Sequence, residues 1–189
     1  MPLDTLPTSQ ARRPRLERLP SRLHHAAYVS SDQERTRRFY EDVLGLPLIA
    51  FWIELEAFEG EPHVLSHAFY GLADGSALAF FNFADPAQAA RYAPHRQSLF
   101  VHIALNTDQS TQDAIRARLD AATLPYQVMD HGYCVSIYVE DPDGQLIEFT
   151  VDSAEAEAID VWQRRSAHDT LQRWQAGDRA TNNDFRPQG

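Results

Sequence analysis

Two histidines and one glutamate lie in predicted strands and together have the chemistry of a metal site. His25 and His102 each begin a short apolar run, and Glu148 lies between Ile147 and Phe149. Imidazole nitrogens and a carboxylate are the donors that Fe(II), Mn, Ni and Zn accept, and burying a carboxylate without a partner is costly. The three side chains therefore predict a divalent metal site with coordination positions left open for other ligands.

An internal repeat relates these positions. Residues 25–29 read as a strand, and residues 31–34, Ser-Asp-Gln-Glu, have the spacing of a capping box at the start of a helix that stops at Gly45. Residues 102–105 read as a second strand, followed by a second helix that ends before Leu124. His25 lies 21 residues before Leu46, and His102 lies 22 residues before Leu124. The two histidines thus occupy equivalent positions in two similar units, and we expect the pseudo-twofold relation of the units to place them facing one another across a cavity.

Each unit closes with strands around an Asp-Gly turn. Gly75 is in the first turn and Gly144 in the second, each followed by apolar residues in the pattern of a hairpin. Glu148 comes four residues after Gly144, and its counterpart four residues after Gly75 is Ala79. Because alanine cannot coordinate a metal, the repeat supplies three protein ligands and no fourth.

Two other histidines compete for a place in this site. His24 adjoins His25, but strand alternation predicts that it points to the opposite face, and the register of the repeat selects His25. His67 shares strand parity with Phe69, so we expect it to face the cavity. A contact with substrate, support for a ligand, direct coordination and a packed imidazole all remain open for His67.

Composition excludes several classes of enzyme. All 17 basic residues are arginine, so Schiff-base aldolases, pyridoxal-phosphate enzymes and Walker-type phosphate loops are ruled out. The formal net charge of −10 should repel nucleic acid and anionic membranes. Cys134 is the single cysteine, which precludes an intramolecular disulfide and favours a cytoplasmic location.

In their order and spacing, these motifs resemble those of the vicinal oxygen chelate superfamily, which includes glyoxalases, bleomycin-resistance proteins and extradiol dioxygenases. The resemblance implies an α+β fold with two tandem βαβββ modules forming a curved mixed sheet around a metal cavity, plus a C-terminal helix. The expected organisation is a flexible Arg/Pro-rich leader at 1–21, one domain at 22–151 with modules at about 22–84 and 98–151, and a helix and tail at 152–189.

The segment from His131 through Tyr138 and residues 141–144, Asp-Pro-Asp-Gly, to Glu148 resembles the signature of extradiol ring-cleavage dioxygenases. This resemblance implies that Tyr138 hydrogen-bonds a catecholate oxygen and that His131 shapes the substrate pocket. Met129 departs from the signature, and the acid–base histidine of the larger enzymes is absent near residues 75–77. Either His67 or His131 would then have to transfer protons, or the reaction differs from that of the larger enzymes.

The expected function is that of a non-haem Fe(II)-dependent dioxygenase acting on an aromatic diol and O2, with Mn, Zn or Ni as alternative metals. We also expect a homodimer. A glyoxalase-like lyase or isomerase is a second possibility, although relatives of that type generally place a fourth ligand where this chain has Ala79. A metal-dependent thiol transferase and a metal-free drug-binding protein are further alternatives on the same scaffold.

A last helix is predicted at about 153–176, ending near Gly177. It carries Trp162 and Trp174, which we expect to cover either the outer face of a sheet or a second subunit.

Overall fold

The computed structural model describes residues 16, 18–58 and 60–185, so most of the predicted leader and residues 186–189 lie outside it. The first module contains β1 (His25–Val29), α1 (Gln33–Arg37) extended by a π-helical turn (Arg38–Val43), β2 (Leu48–Phe58), β3 (Glu61–Gly71) and β4 (Ala77–Phe83). A short helix α2 (Pro86–Arg91) connects the modules. The second module contains β5 (His102–Asn106), α3 (Gln109–Ala121), β6 (Tyr126–Asp130), β7 (Cys134–Glu140) and β8 (Leu146–Asp152), and α4 (Ala156–Gln175) follows.

The strands form two four-stranded mixed sheets of identical topology. Their orders are β1-β4-β3-β2 and β5-β8-β7-β6. In each sheet the first strand pairs in parallel with the last, and the remaining pairs are antiparallel. The predicted fold of two tandem βαβββ modules followed by a C-terminal helix is therefore confirmed.

Local sequence explains where the elements begin and turn. Asp32, rather than Ser31, caps α1, and its carboxylate accepts a hydrogen bond from the Arg35 backbone nitrogen. Gly75 and Gly144, in the Asp-Gly turns, have φ of +80° and +85°, a region that favours glycine. The hairpins predicted from these dipeptides join β3 to β4 and β7 to β8.

One face of each sheet is covered by the helices, and the two modules share a single core. Alternation places Ala26 and Tyr28 of β1, and Ile103 of β5, against this core, which leaves His25 and His102 on the opposite faces. We call these opposite faces the open faces of the two sheets. The largest contributors to the core are Phe39, Tyr40, Leu44, Tyr70, Phe80, Ile115, Leu119, Ile137 and Phe149.

A buried polar contact joins the modules at the turn between β7 and β8. The Tyr40 hydroxyl donates to Asp141 Oδ2 at 2.9 Å, and both side chains are buried. Asp141 Oδ1 accepts from the backbone nitrogens of Asp143 and Gln145, so the carboxylate also holds its own turn together. The Asp-Pro-Asp-Gly segment is therefore a structural joint of this fold.

The C-terminal helix α4 lies outside the core. None of its residues is buried, and the Trp162 and Trp174 side chains are 43% and 61% exposed. Both surfaces that these tryptophans are expected to cover, the outer face of a sheet and a second subunit, therefore stay predictions. None of the described helices combines the length and the apolar composition that a membrane crossing requires.

Candidate metal centre

The second module brings His102 and Glu148 together on its open face. β5 and β8 are adjacent, with Ala104 opposite Glu148, and the His102 ring reaches across so that its Nε2 lies 2.9 Å from Glu148 Oε2. The Glu148 side chain is buried, at 6% exposure, whereas that of His102 is 32% exposed. One nitrogen and one carboxylate oxygen thus meet at a point that is open on the solvent side.

Tyr138 and His131 hold the other oxygen of this carboxylate. Tyr138 lies opposite Glu148 in the β7–β8 pair, and its hydroxyl donates to Oε1 at 2.6 Å. His131 Nε2 lies 2.8 Å from the Tyr138 hydroxyl oxygen and 3.8 Å from Glu148 Oε1. Burial and the neighbouring Glu148 carboxylate both raise the pKa of Tyr138, so it remains a neutral donor.

The first module places His25 on its own open face, beside aromatic rings. The His25 ring centroid lies 5.6 Å from that of Phe69 and 6.2 Å from that of His67, both edge-on. The expectation that His24 points to the opposite face is wrong. His24 precedes β1 and is therefore not bound by strand alternation, and its Nδ1 lies 2.8 Å from His25 Nδ1.

His67 faces the same side, as its strand parity predicts. Its ring stacks on Phe81 with centroids 3.9 Å apart, and its Nδ1 lies 3.6 Å from Glu54 Oε2. Its Nε2 is buried and has no hydrogen-bond partner among the described residues. Burial lowers the pKa of His67, which favours the neutral ring. Glu54 was not predicted as a site residue, although the alternating Ile-Glu-Leu-Glu of residues 53–56 indicates two acidic side chains on one face of a strand.

The strand registers show that Ala79 is the counterpart of Glu148. Ala79 pairs with Ala27 in β1 and with Phe69 in β3. Glu148 has the equivalent partners in the second sheet, Ala104 in β5 and Tyr138 in β7. The position that would supply a second carboxylate therefore carries a methyl group.

The two groups of polar residues remain separate within one chain. In the part of the chain that the structure describes, no three His, Cys, Asp or Glu side chains lie close enough to hold a metal ion together. His102 is joined by Glu148, and His25 by His67, but the two pairs occupy different sheets. The triad of His25, His102 and Glu148 accordingly stays a prediction. The open face of the first sheet also leaves Trp52 57% exposed.

Comparison with known proteins places this architecture in context. The family profile described as "Glyoxalase/Bleomycin resistance protein/Dioxygenase superfamily" matches residues 22–149. A lactoylglutathione lyase from Haemophilus influenzae is 31% identical over 127 residues, which cover 66% of this chain and 88% of the lyase.

Solved structures of similar fold include the genomically encoded fosfomycin resistance protein FosX from Listeria monocytogenes. It aligns with a TM-score of 0.53 and 20% identity, covering 73% of this chain and 98% of FosX. A mutant form of FosX, complexed with Mn(II) and 1S,2S-dihydroxypropylphosphonic acid, aligns with a TM-score of 0.53 and 18% identity, covering 74% and 99%. At these sequence identities the similarity shows a shared fold and no more.

Proposed function

Since the chain belongs to the glyoxalase, bleomycin resistance protein and dioxygenase superfamily, whose members are mostly enzymes, we propose that it is a metal-dependent enzyme acting on a small molecule. We further propose that His25, His102 and Glu148 hold the metal, and that the reaction is the oxidative cleavage of an aromatic diol by O2. The observation that carries this proposal is the donor set: a preformed His102–Glu148 pair, with Ala79 where a fourth ligand would stand.

The residues present fit a divalent cation. His102 Nε2 and Glu148 Oε2 lie 2.9 Å apart, close enough to bind one cation together. A cation there would also neutralise the negative charge of the buried Glu148 carboxylate. The Tyr138 hydroxyl fixes the other oxygen, as groups that orient metal ligands commonly do. A set of two imidazoles and one carboxylate suits Fe(II), with Mn, Zn or Ni as alternatives.

We propose that a second copy of the chain completes the site. Within the described part of one chain no third ligand joins His102 and Glu148, and the open face that carries His25 is partly apolar, with Trp52 exposed. Placing the open face of one first module over that of the partner's second module would bring His25 to the pair and bury Trp52. A homodimer of this kind would contain two equivalent sites.

A bound Fe(II) would supply open coordination positions through which the diol and O2 are activated. The protein side chains would orient the substrate, transfer protons and exclude water. Tyr138 donates a hydrogen bond beside the metal position, and His131 orients that hydroxyl at 2.8 Å. His67, whose ring lies 6.2 Å from that of His25 on the same open face, would accept a proton from a substrate hydroxyl. Phe69 and Phe81 line the same face and exclude water.

A lyase or isomerase is the second candidate, because the lactoylglutathione lyase of Haemophilus influenzae is 31% identical. Such an enzyme would need the metal to polarise a substrate without consuming O2. The absence of a carboxylate at Ala79 favours the oxygenase over this alternative.

The proposal is tested by purifying the protein without oxygen, measuring its bound metal and supplying Fe(II) with catechols. We expect O2 uptake together with a coloured ring-opened product. Turnover of a thiohemiacetal with Zn or Ni, and no O2 uptake with any diol, would instead establish the lyase.

Ligand assignments are tested by metal content. We expect His25→Ala, His102→Ala and Glu148→Ala to lose the metal, and His67→Ala to retain it. His168→Ala, an exposed histidine on α4, is the matched control. Retention of metal by any of the first three variants contradicts the assignment.

A further inference from the structure

The histidine that precedes β1 is held against the first sheet through its backbone. The carbonyl oxygen of His24 accepts a hydrogen bond from the backbone nitrogen of Ala77 at 3.2 Å. The next residue, His25, lies opposite Ala77 in the β1–β4 pair. The course of the chain at His24 is therefore fixed by β4, although the His24 side chain is exposed to solvent.

The His24 side chain meets that of His25 edge-on. The two ring centroids lie 5.0 Å apart with an interplanar angle of 75°, and the two Nδ1 atoms lie 2.8 Å apart. The other rings beside His25, those of Phe69 and His67, also contact it edge-on. Among the described residues the His25 ring makes no further hydrogen bond, so its Nε2 is left available on the open face.

The two modules hold their histidines in different ways. His102, the counterpart of His25, lies beside the Glu148 carboxylate, with 2.9 Å between His102 Nε2 and Glu148 Oε2. The residue before His102 is Val101, whose side chain cannot form a hydrogen bond. In the first module a methyl group stands at the position of the carboxylate, and the residue before His25 is His24. The histidine of the first module therefore takes its polar partner from the preceding residue.

The hydrogen bond between the two Nδ1 atoms decides which nitrogen of His25 can bind a metal. A neutral imidazole carries a single proton, so one Nδ1 donates and the other accepts. If His25 donates, its Nε2 has a free lone pair. If His24 donates, the proton of His25 lies on Nε2 and blocks that nitrogen. Histidines that bind metals commonly donate their other N–H to a neighbouring group, which corresponds to the first arrangement.

We propose that His24 is a positioning residue for the metal site: its Nδ1 accepts the Nδ1–H of His25, which leaves His25 Nε2 to bind the metal. The inference rests on the proposed function in one respect, that His25 is a ligand. His24 is not a ligand in this arrangement, because its own proton lies on Nε2, where water can accept it. The bond also restricts the His25 ring, so both the tautomer and the orientation of the ligand are set before a metal binds.

Nitrogen NMR of the full-length, metal-free protein at about pH 8, where free imidazoles are neutral, reads the tautomer directly. We expect His25 to carry its proton on Nδ1 in the wild type. His24→Phe keeps an edge-on ring and removes the acceptor, so we expect a substantial share of the Nε2–H form of His25. His24→Asn restores an acceptor, the side-chain oxygen, and should return His25 to the Nδ1–H form.

Fe(II) affinity, measured without oxygen by competition with a coloured chelator, tests the consequence for the metal. We expect His24→Phe to bind Fe(II) about tenfold more weakly than the wild type, and His24→Asn to stay within about threefold of it. His95→Phe is the matched control and should keep the wild-type affinity, because His95 also contacts a residue near it in sequence, with 3.2 Å between its Nε2 and Gln97 Nε2. Thermal melting verifies that the variants are folded.

A proton on Nε2 of His25 in the wild type overturns the inference, as does an unchanged Fe(II) affinity of His24→Phe when His25→Ala has lost the metal. An equal loss of affinity in His24→Phe and His24→Asn also overturns it, since the acceptor would then have no role. If the affinities change as expected but no diol consumes O2, the inference is supported and the proposed oxygenase reaction fails. If His25→Ala retains Fe(II), the ligand assignment fails and the inference fails with it.

Discussion

Replacing Tyr40 with phenylalanine tests the joint between the two modules. The Tyr40 hydroxyl donates to Asp141 Oδ2 at 2.9 Å across the inter-module contact, and both side chains are buried. The substitution removes one oxygen and little volume, so the ring keeps its packing against Phe80 and Tyr70. Asp141 then remains buried and keeps its two hydrogen bonds from backbone nitrogens, but it loses the third, from Tyr40.

The expected loss of stability follows from the charge of the Asp141 carboxylate, which accepts this hydrogen bond. A hydrogen bond to a charged group contributes about 1.5–3 kcal/mol to folding, and here the acceptor cannot turn to water once its donor is lost. We therefore expect Tyr40→Phe to lower the free energy of unfolding by about 2 kcal/mol near neutral pH.

The cost should shrink in acid. Burial raises the pKa of Asp141 above that of an exposed aspartate, while the hydrogen bonds from Gln145 and Tyr40 oppose the shift. Since the folded state holds its proton to higher pH than the unfolded state, this group favours folding at low pH, and that contribution is lost as the pH rises through the folded pKa. Protonation removes the charge that the Tyr40 bond stabilises, so the stabilities of the variant and the wild type should converge as the pH falls through the folded pKa of Asp141.

Urea unfolding of both proteins, near pH 7 and near pH 4, measures this difference. Tyr28→Phe is the matched control, because its ring also packs against Phe80 while its hydroxyl donates to no carboxylate among the described residues. A loss below about 0.5 kcal/mol near neutral pH, or an equal loss at both pH values, would refute the reasoning, since a bond to a buried charge predicts neither.

Three further predictions address the fourth-ligand position, the second module and the dimer. Ala79→Glu should shift metal preference from Fe(II) towards Zn or Ni and suppress O2 uptake, as metal analysis and an oxygen electrode would show. Gln112→Ala should lower the free energy of unfolding, measured in urea, by about 3 kcal/mol, because the Gln112 amide donates at 2.9 Å to the backbone oxygens of both Val135 and Phe149. Trp52→Asp should shift the protein towards monomers in analytical ultracentrifugation, and an unchanged mass would contradict the proposed interface.

Sequence alone predicted the modules because their repeat fixes register. Counting from Gly75 and Gly144 identified Ala79 and Glu148 as equivalent, and the strand pairings confirm this. Strand parity also placed His67 on the open face. These successes share a cause, since the two-residue period of a strand decides which face a side chain occupies.

Other features depend on contacts that no local pattern specifies. The position of Glu54 beside His67 depends on the register of the antiparallel pair β2–β3, in which Trp52 lies opposite His67. The short helix α2 buries none of its residues and therefore leaves no apolar stripe, although Asp85 caps it. His25 and His102 lie in different sheets, and among the described residues neither joins a group of three possible metal ligands, so the repeat predicted their equivalence but does not bring them together within one chain.

If the proposed ligands of one metal come from two copies of the chain, metal affinity becomes a function of protein concentration. If His25 reaches the metal only from a second copy, metal binding and association are thermodynamically linked, and each strengthens the other by mass action. Dilution should then release metal, and a chelator should dissociate the dimer. An enzyme built in this way is inactive as a single chain and becomes active only where its own abundance and the available metal are both sufficient.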